Sequence, residues 1–575
     1  MTTAVVAKIR AALPPPPSLI GQRVKHGASP RNRRVLCSSS HLTSQHLVQA
    51  MAADSGMSDE SLLQKPDMSA EHGARTRTQS TYTPLPTYQL PKGEHRHYQQ
   101  QYADMYFARL AQLKPAVEQI AAEPFNSIEI GGEPCKRVER VLDVRQGELC
   151  WVIGTIYMEM PLKPNVLEDI GKEHWIAAPP PRVKYDSGAG MANEGAHGAH
   201  AAGTGGTGTQ IMLEDESGRL RLTGSELGAW VLVTGAIVAV VGTENKDGDF
   251  EVLDLRVPDL PRQPQRWEME DGEAALRKQK STSQRPKGGK LAIVSGLGIS
   301  GDDGDTLTLD LLQEYLLGES ASSEDQEAAS SISRLILAGN SLSNSSPILN
   351  REAIAAAAAK RGGRKTYGYD SSSYNAAPTD RLDQWLASLL PSMPVTLLPG
   401  EQDPTSTSLP QQPIHPAMFP HSRAYMQPPT SLGKPGEEPG WFDSQTNPCD
   451  LSVDGYRLLG TGGQPVDDVY KYIPNCENRL EMMEAMLRWR LTAPTAPDTL
   501  WCYPFQDGDQ FVMKDCPHLY FVGNQPKFET TVIEGPVGQQ VRLVALPKFR
   551  ESGEVVLVDM ETLEPEVIKF ELFEG

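Results

Sequence analysis

Apolar positions along the chain change period several times, and those changes divide it. Tyr98, Tyr102, Met105, Tyr106, Leu110 and Leu113 recur at helical spacing, which predicts an amphipathic helix running toward Pro115. From residue 149 the period shortens. Residues 149–160, 209–214, 219–223, 231–241 and 250–257 read as strands, with Gly218 and Asp247-Gly248 as turns and Gly235 where a strand has to bend. Five short strands at this spacing fit a small closed barrel.

Strand and helix patterns alternate from residue 290 onward. Apolar runs at 290–295, 335–338, 395–398, 518–522, 541–545 and 555–558 read as strands, and 454–464 as another strand with a glycine turn. One helix should begin near Thr306, with Leu309, Leu312 and Leu316 on one face. A second runs from Thr379 as its cap through Leu382, Trp385, Leu386, Leu389 and Leu390 to Pro391, and a third covers 477–491. The alternation predicts an α/β layered domain whose sheet is closed by its last two strands.

The remaining segments lack such patterns. The first 53 residues hold no Asp or Glu and seven Lys or Arg, a composition like that of a mitochondrial transit peptide. The proline run 14–17 breaks the helix such a peptide needs, so a disordered leader, or translation starting at Met51 or Met57, is the preferred reading. Residues 185–208, rich in Gly, Ala and His, and 350–376 read as loop insertions. His197 and His200 lie in the first without carboxylate or thiolate company, so they make no metal site.

Composition narrows the function. A chain of 575 residues exceeds what one core serves. A net charge of -19 argues against gripping nucleic acid over the whole surface, which needs clustered Lys and Arg. Seven scattered cysteines without C-x-x-C spacing read as reduced thiols of an intracellular protein. No apolar run reaches the ~20 residues of a membrane span. The barrel strands offer Trp151, Tyr157, Trp230 and Phe250 with few cations between them and Glu214, Asp215 and Glu216 beside them, which favours structural use over single-strand DNA binding. Gly296 to Gly301 spells G-x-G-x-x-G after a strand, but Asp302, Asp303 and Asp305 follow where pyrophosphate would bind, so a dinucleotide site is rejected.

The strand ends carry the informative residues. They are Gly296-Leu297-Gly298, Gly339-Asn340, Gly400-Glu401-Gln402-Asp403 and Gly523-Asn524-Gln525-Pro526. This layout resembles that of calcineurin-like metallophosphoesterases, which carry Asp-x-His, Gly-Asp, Gly-Asn-His-Asp and Gly-His-x-His at those ends to hold cations ~3.5–4 Å apart. The resemblance makes Gly296, Gly298, Asn340, Glu401, Gln402, Asn524 and Pro526 former metal-site positions. Glycines, neutral amides and a proline now fill most of them. Glu401 and Asp403 read as solvated or turn-capping carboxylates in preference to a weak cation site.

Further blocks sharpen the likeness: Pro-Gly-Glu-Gln-Asp-Pro-Thr at 399–405, Leu-Pro-Gln-Gln-Pro-Ile-His-Pro at 409–416, Met418-Phe419-Pro420, 454–464 with Gly462 in place of a serine, and 495–500. With them the chain resembles the small accessory (B) subunit family of eukaryotic DNA polymerase delta over roughly residues 87–549. The resemblance implies a mixed β and α/β protein, an OB-fold barrel plus a phosphoesterase-like α/β sandwich lacking metal ligands. The expected division is a disordered leader (1–86), a helical arm (87–123), the OB-fold (124–259, insertion 185–208), a linker (260–289) and the inactive domain (290–575, insertion 350–376). It further implies no catalytic residue, metal or cofactor, and a nuclear scaffold in DNA replication and repair. The implied partners are the polymerase delta catalytic subunit, through its cysteine-rich C-terminal domain, and a third subunit, with polymerase zeta as another user. DNA would be touched only indirectly or weakly, and no membrane is involved. The sequence assigns no residue to partner contact. Two rival readings are a single-stranded DNA-binding OB-fold protein and an active metallophosphoesterase or nuclease.

Overall fold

The computed structural model describes residues 33–38, 76–93, 96, 100–164, 184–185, 208–269, 289–300, 307–319, 323–343, 376–427, 440–473 and 476–573. Strands β1 (Arg33–Ser38) and β2 (Tyr82–Leu85) precede the long helix α1 (Tyr102–Asn126). Both strands fall inside the stretch expected to be a disordered leader, so its limit at residue 86 is corrected. Arg77 shows why: its guanidinium donates to the carbonyls of Leu316 (2.6 Å), Ala329 (2.8 Å) and Ile332 (3.0 Å), and Tyr82 is buried.

Helix α1 differs from its expected bounds at both ends. Tyr98 lies outside the described residues, and the helix passes through Pro115 and Pro124 to Asn126. The buried stripe Met105, Arg109, Leu113, Val117, Ala121 and Phe125 keeps four-residue spacing across Pro115. Packing on both sides of the proline therefore offsets the ~3 kcal/mol that an interior proline costs.

The barrel consists of β3 (Leu149–Glu159), β4 (Gln210–Glu214), β5 (Arg219–Thr223), β6 (Ile237–Glu244) and β7 (Phe250–Arg256). β3 pairs with β4 and β6, β4 with β5, β5 with β7 and β7 with β6, so the five strands close. The fourth strand starts at Ile237, six residues after its expected start. Gly235 causes this: its φ of +96° turns the chain, and its N–H donates to the Ile156 carbonyl at 2.8 Å. Most of the expected insertion 185–208 lies outside the described residues. Tyr185, assigned to it, is instead buried, with its hydroxyl on Asp468 (2.7 Å) and its ring edge-on to Tyr472.

The expected linker is also folded where it is described. Leu260 is buried, Gln263 donates to the Pro517 and Gln540 carbonyls, and Arg266 donates to that of Asp454. Residues 270–288 lie outside the description. The second unit then comprises β8 (Lys290–Val294), α2 (Leu307–Leu317), α3 (Ser323–Ser331), β9 (Ile332–Ala338), α4 (Ala377–Leu389), β10 (Val395–Leu398) and β11 (Phe442–Ser444). It continues with β12 (Cys449–Val453), β13 (Tyr456–Thr461), α5 (Gln464–Tyr472), α6 (Arg479–Arg488), β14 (Leu519–Gln525), β15 (Glu529–Glu534), β16 (Gln540–Pro547), β17 (Glu554–Asp559) and β18 (Pro565–Phe573). Gly301 and Thr306 lie outside the described residues, as does the insertion 350–376 apart from its last residue. Thr379 is no cap: it is buried within α4, which starts two residues earlier because Pro378 needs no N–H acceptor in a first turn.

Two mixed sheets stack face to face, in the orders β1-β18-β17-β8-β9-β10-β11 and β15-β16-β14-β13-β12-β2. The last strands do not close one sheet, as expected; β16 joins the second and β17 the first. Between the sheets Ile293, Ile336, Leu398 and Val556 meet Leu451, Leu458, Phe521 and Val544. Helices α2 and α4 cover the outer face of the first sheet. On the outer face of the second, α5 and α6 share one continuous apolar core with α1 and the barrel.

Helix α1 ties the two units together. Tyr102 donates to the Cys502 carbonyl (2.9 Å) in the sandwich and Tyr106 to Glu214 (3.0 Å) in the barrel. Between them Arg109, 2% exposed, bonds Asp509 at 2.5 Å and the Pro494 carbonyl at 2.6 Å. A Cβ on Gly235 would collide with that Pro494 carbonyl and with Arg109 Nη1. Arg109→Met, which leaves Asp509 buried without its cation, should cost ~3–5 kcal/mol. The double variant Arg109→Met/Asp509→Leu should recover much of it. Thermal unfolding of both variants checks this; a single variant that melts with the wild type contradicts it.

Candidate functional site

The glycine turns predicted from the sequence converge at one end of the sandwich. After β8, Gly296 and Gly298 donate to the carbonyls of Gly339 (2.9 Å) and Asn340 (3.1 Å), so the loops following β8 and β9 run side by side. Asn340, at φ +53°, accepts from the Gln402 N–H at 3.0 Å, fixing the loop after β10. From the second sheet, Asn524 donates its side-chain amide to the Gly462 carbonyl at 2.8 Å and accepts none itself. Its own N–H donates to Ser295 Oγ at 2.9 Å. Gly339 lies so close that a Cβ there would stand 2.9 Å from Gly462 Cα and 3.3 Å from Asn524 Nδ2.

The seven positions marked by the sequence resemblance therefore separate into two groups. Gly296, Gly298, Asn340 and Asn524 form the floor. Glu401, Gln402 and Pro526 lie exposed at its margin. Asp403 is buried and caps the turn, accepting from the N–H groups of Gly400 (2.7 Å), Leu342 (2.9 Å) and Ser341 (3.3 Å). Burial pushes its carboxyl above the ordinary range, while those N–H groups pull the other way.

A pair of divalent cations does not fit this floor. Gly296 and Gly298 have φ of +64° and +56°, conformations that side chains with a Cβ rarely adopt. A Cβ at either would come within 2.9 Å of Lys548 Cβ or Arg550 Cδ. Arg550 moreover donates to the Gly298 carbonyl at 2.8 Å, placing a cation where metal ligands would have to supply negative charge. Among the described residues no three of His, Cys, Asp and Glu group closely enough to hold a metal.

Sequence reasoning missed the amide cluster that seals the turns. Asn447 donates to Gln411 and Gln464 (both 2.9 Å) and accepts from the Gly462 N–H and the Thr461 hydroxyl, while Gln411 donates to the Gly400 carbonyl at 3.1 Å. Gln411 and Gln464 stood within the resembling blocks, but nothing local marked Asn447.

Three of the four barrel aromatics are equally committed, while Trp230 is half-buried against the core. Trp151 and Phe250 are wholly buried. Lys163 and Arg219 lie over the Tyr157 ring, 4.1 and 4.6 Å from its centroid, and each is paired with a carboxylate, Asp498 or Glu214. No helix among the described residues is long and apolar enough to cross a membrane.

Comparison with known proteins identifies the family. The family model for the B subunit of DNA polymerases alpha and epsilon matches residues 291–530, and that of the DNA polymerase delta subunit OB-fold domain matches 101–255. The two matches together define the class, an OB-fold joined to a polymerase B-subunit domain. The DNA polymerase delta small subunit of Arabidopsis thaliana is 34% identical over 495 residues, 86% of this chain and 96% of that one. Its counterpart in Oryza sativa subsp. japonica is 32% identical over 86% of this chain and 98% of its own. That of Saccharomyces cerevisiae is 31% identical over 83% and 91%. The chain belongs to the DNA polymerase delta small-subunit family.

Asp403→Ala should orphan three buried N–H groups at ~1–3 kcal/mol each, lowering stability by ~3 kcal/mol or more. The raised carboxyl also carries a pH signature. Between the ordinary aspartate value near ~3.9 and its raised value the folded chain binds more protons than the unfolded one. Stability contributed by this group therefore falls as pH rises through that window, and Asp403→Asn should remove the slope. Denaturant midpoints across pH test this; an identical slope in Asp403→Asn contradicts it.

Proposed function

We propose that this accessory subunit acts as the scaffold of a DNA polymerase delta, holding the catalytic subunit, through its cysteine-rich C-terminal domain, together with a third subunit. The same surface serves polymerase zeta, and the complex works in the nucleus, in replication and repair. The sandwich is an inactivated calcineurin-like phosphoesterase. One observation carries the reading: the strand ends of both sheets still meet, but the floor they form is closed by backbone contacts, neutral amides and Arg550, with no ligand set left among the described residues.

The rivals meet specific obstacles. Metal-assisted hydrolysis needs anionic and imidazole ligands at Gly296 and Gly298, where a Cβ meets Lys548 and Arg550. Single-strand binding by stacking needs exposed aromatic faces in a basic groove. Trp151 and Phe250 are interior, and Tyr157 is already covered by paired cations.

Co-expression with the polymerase catalytic and third subunits tests the scaffold reading. A stoichiometric complex should form that loses the third subunit when this chain is omitted. The free chain should hydrolyse no phosphodiester in Mn²⁺ or Mg²⁺. Hydrolysis at constant specific activity across a size-exclusion peak, or a complete polymerase assembled without this chain, would overturn it.

A further inference from the structure

A cleft of about 560 Å³ opens where the segment after β2, helix α1 and residues 503–517 meet the second sheet, away from the closed strand-end floor. Its volume lies in the range of sites that hold a ligand. Tyr88, Tyr503 and Phe505 line it together with the glutamines Gln100, Gln112, Gln506 and Gln510. Gln100 Oε1 and Gln510 Oε1 are buried there without a hydrogen-bond donor. Buried acceptors left unpaired cost free energy, and rotation of either amide toward the cleft lets a ligand N–H recover it.

Charge sharpens the choice of ligand. Asp450, Asp507, Asp509 and Asp515 line the cleft against Arg457 and Lys514. Arg457 is already engaged, with Nε and Nη2 on Asp450 (3.0 and 2.7 Å) and Nη1 on Asp515 (2.5 Å). Asp509 is met from behind by Arg109. The balance stays negative even when Arg109 is counted, and exposed Asp507 stands at the mouth. Phosphate is repelled by such a lining. Side chains rich in N–H donors and carrying positive charge are attracted, and aromatic faces add cation–π attraction.

We propose that this cleft is a docking site for an extended segment of a partner protein that inserts an arginine or lysine. Glutamine amides bond the peptide groups of the segment, the aromatic rings flank the inserted stem, and Asp507 and Asp515 receive its charge. The proposal rests on the scaffold reading and names the chemistry of one partner contact within it.

The test uses the full-length chain co-expressed with the polymerase catalytic and third subunits. p-Benzoylphenylalanine replaces exposed Gln506 at the cleft, and irradiation followed by mass spectrometry finds what lies there. The expected product joins Gln506's position to one stretch of a partner subunit that contains Arg or Lys. Asp507→Lys, at an exposed position, should weaken retention of that subunit at least tenfold at an unchanged melting temperature. Asp247→Lys on the barrel hairpin should leave it intact. Cross-links confined to this chain, to DNA or to a stretch without a basic residue overturn the proposal, as does wild-type retention by Asp507→Lys. Failure of the wild-type chain to assemble at all overturns the scaffold reading and the cleft with it.

Discussion

Burying a guanidinium costs several kcal/mol unless both its charge and its donors are met, and Arg109 meets them with groups that belong to the other unit. Asp509 supplies the charge and Pro494 a carbonyl, 385 or more residues away in sequence. Gly235 has to lack a Cβ for the same carbonyl to come that close. Helix position, barrel turn and sandwich loop are thereby fixed to one another at a single point. The continuous core under α5 and α6 then supplies the area that makes the contact durable. A partner bridging both units would meet them already ordered and would lose little binding energy to aligning them.

The strand-end floor follows a related logic. A metal centre needs space and negative charge at the strand ends that hold it. Here the loops after β8, β9 and β10 and the turns after β13 and within β14 close on each other instead, held by backbone N–H groups, Asp403 and the Asn447–Gln411–Gln464 amides. Neutral amides satisfy buried backbone groups without the desolvation penalty of charge. These strand ends act as structural support for the loops around them.

Much of this was legible from periodicity. Barrel strands, the strands β8, β9 and β10, and the glycine turns at their ends all follow from local pattern, because burial of one or both faces writes itself into the sequence. Pro115 misled because a local rule met a tertiary stripe: Leu113 and Val117 are buried on either side of it. The split of β16 and β17 between two sheets was hidden, since both read as apolar runs and only long-range pairing separates them. Arg109 and Asn447 were invisible for the same reason. Each depends on partners far away in the chain, and neither polar residue stands out from its neighbours.

Hydrogen exchange on the free full-length chain addresses the central claim, that barrel and sandwich form one body clamped at Arg109. Amides of the 231–236 turn and of the 491–512 segment should share one opening free energy, near that of global unfolding, and should lose protection together in Arg109→Met. Independent exchange of the two segments in the wild-type chain, with the barrel opening while the sandwich stays protected, would contradict it.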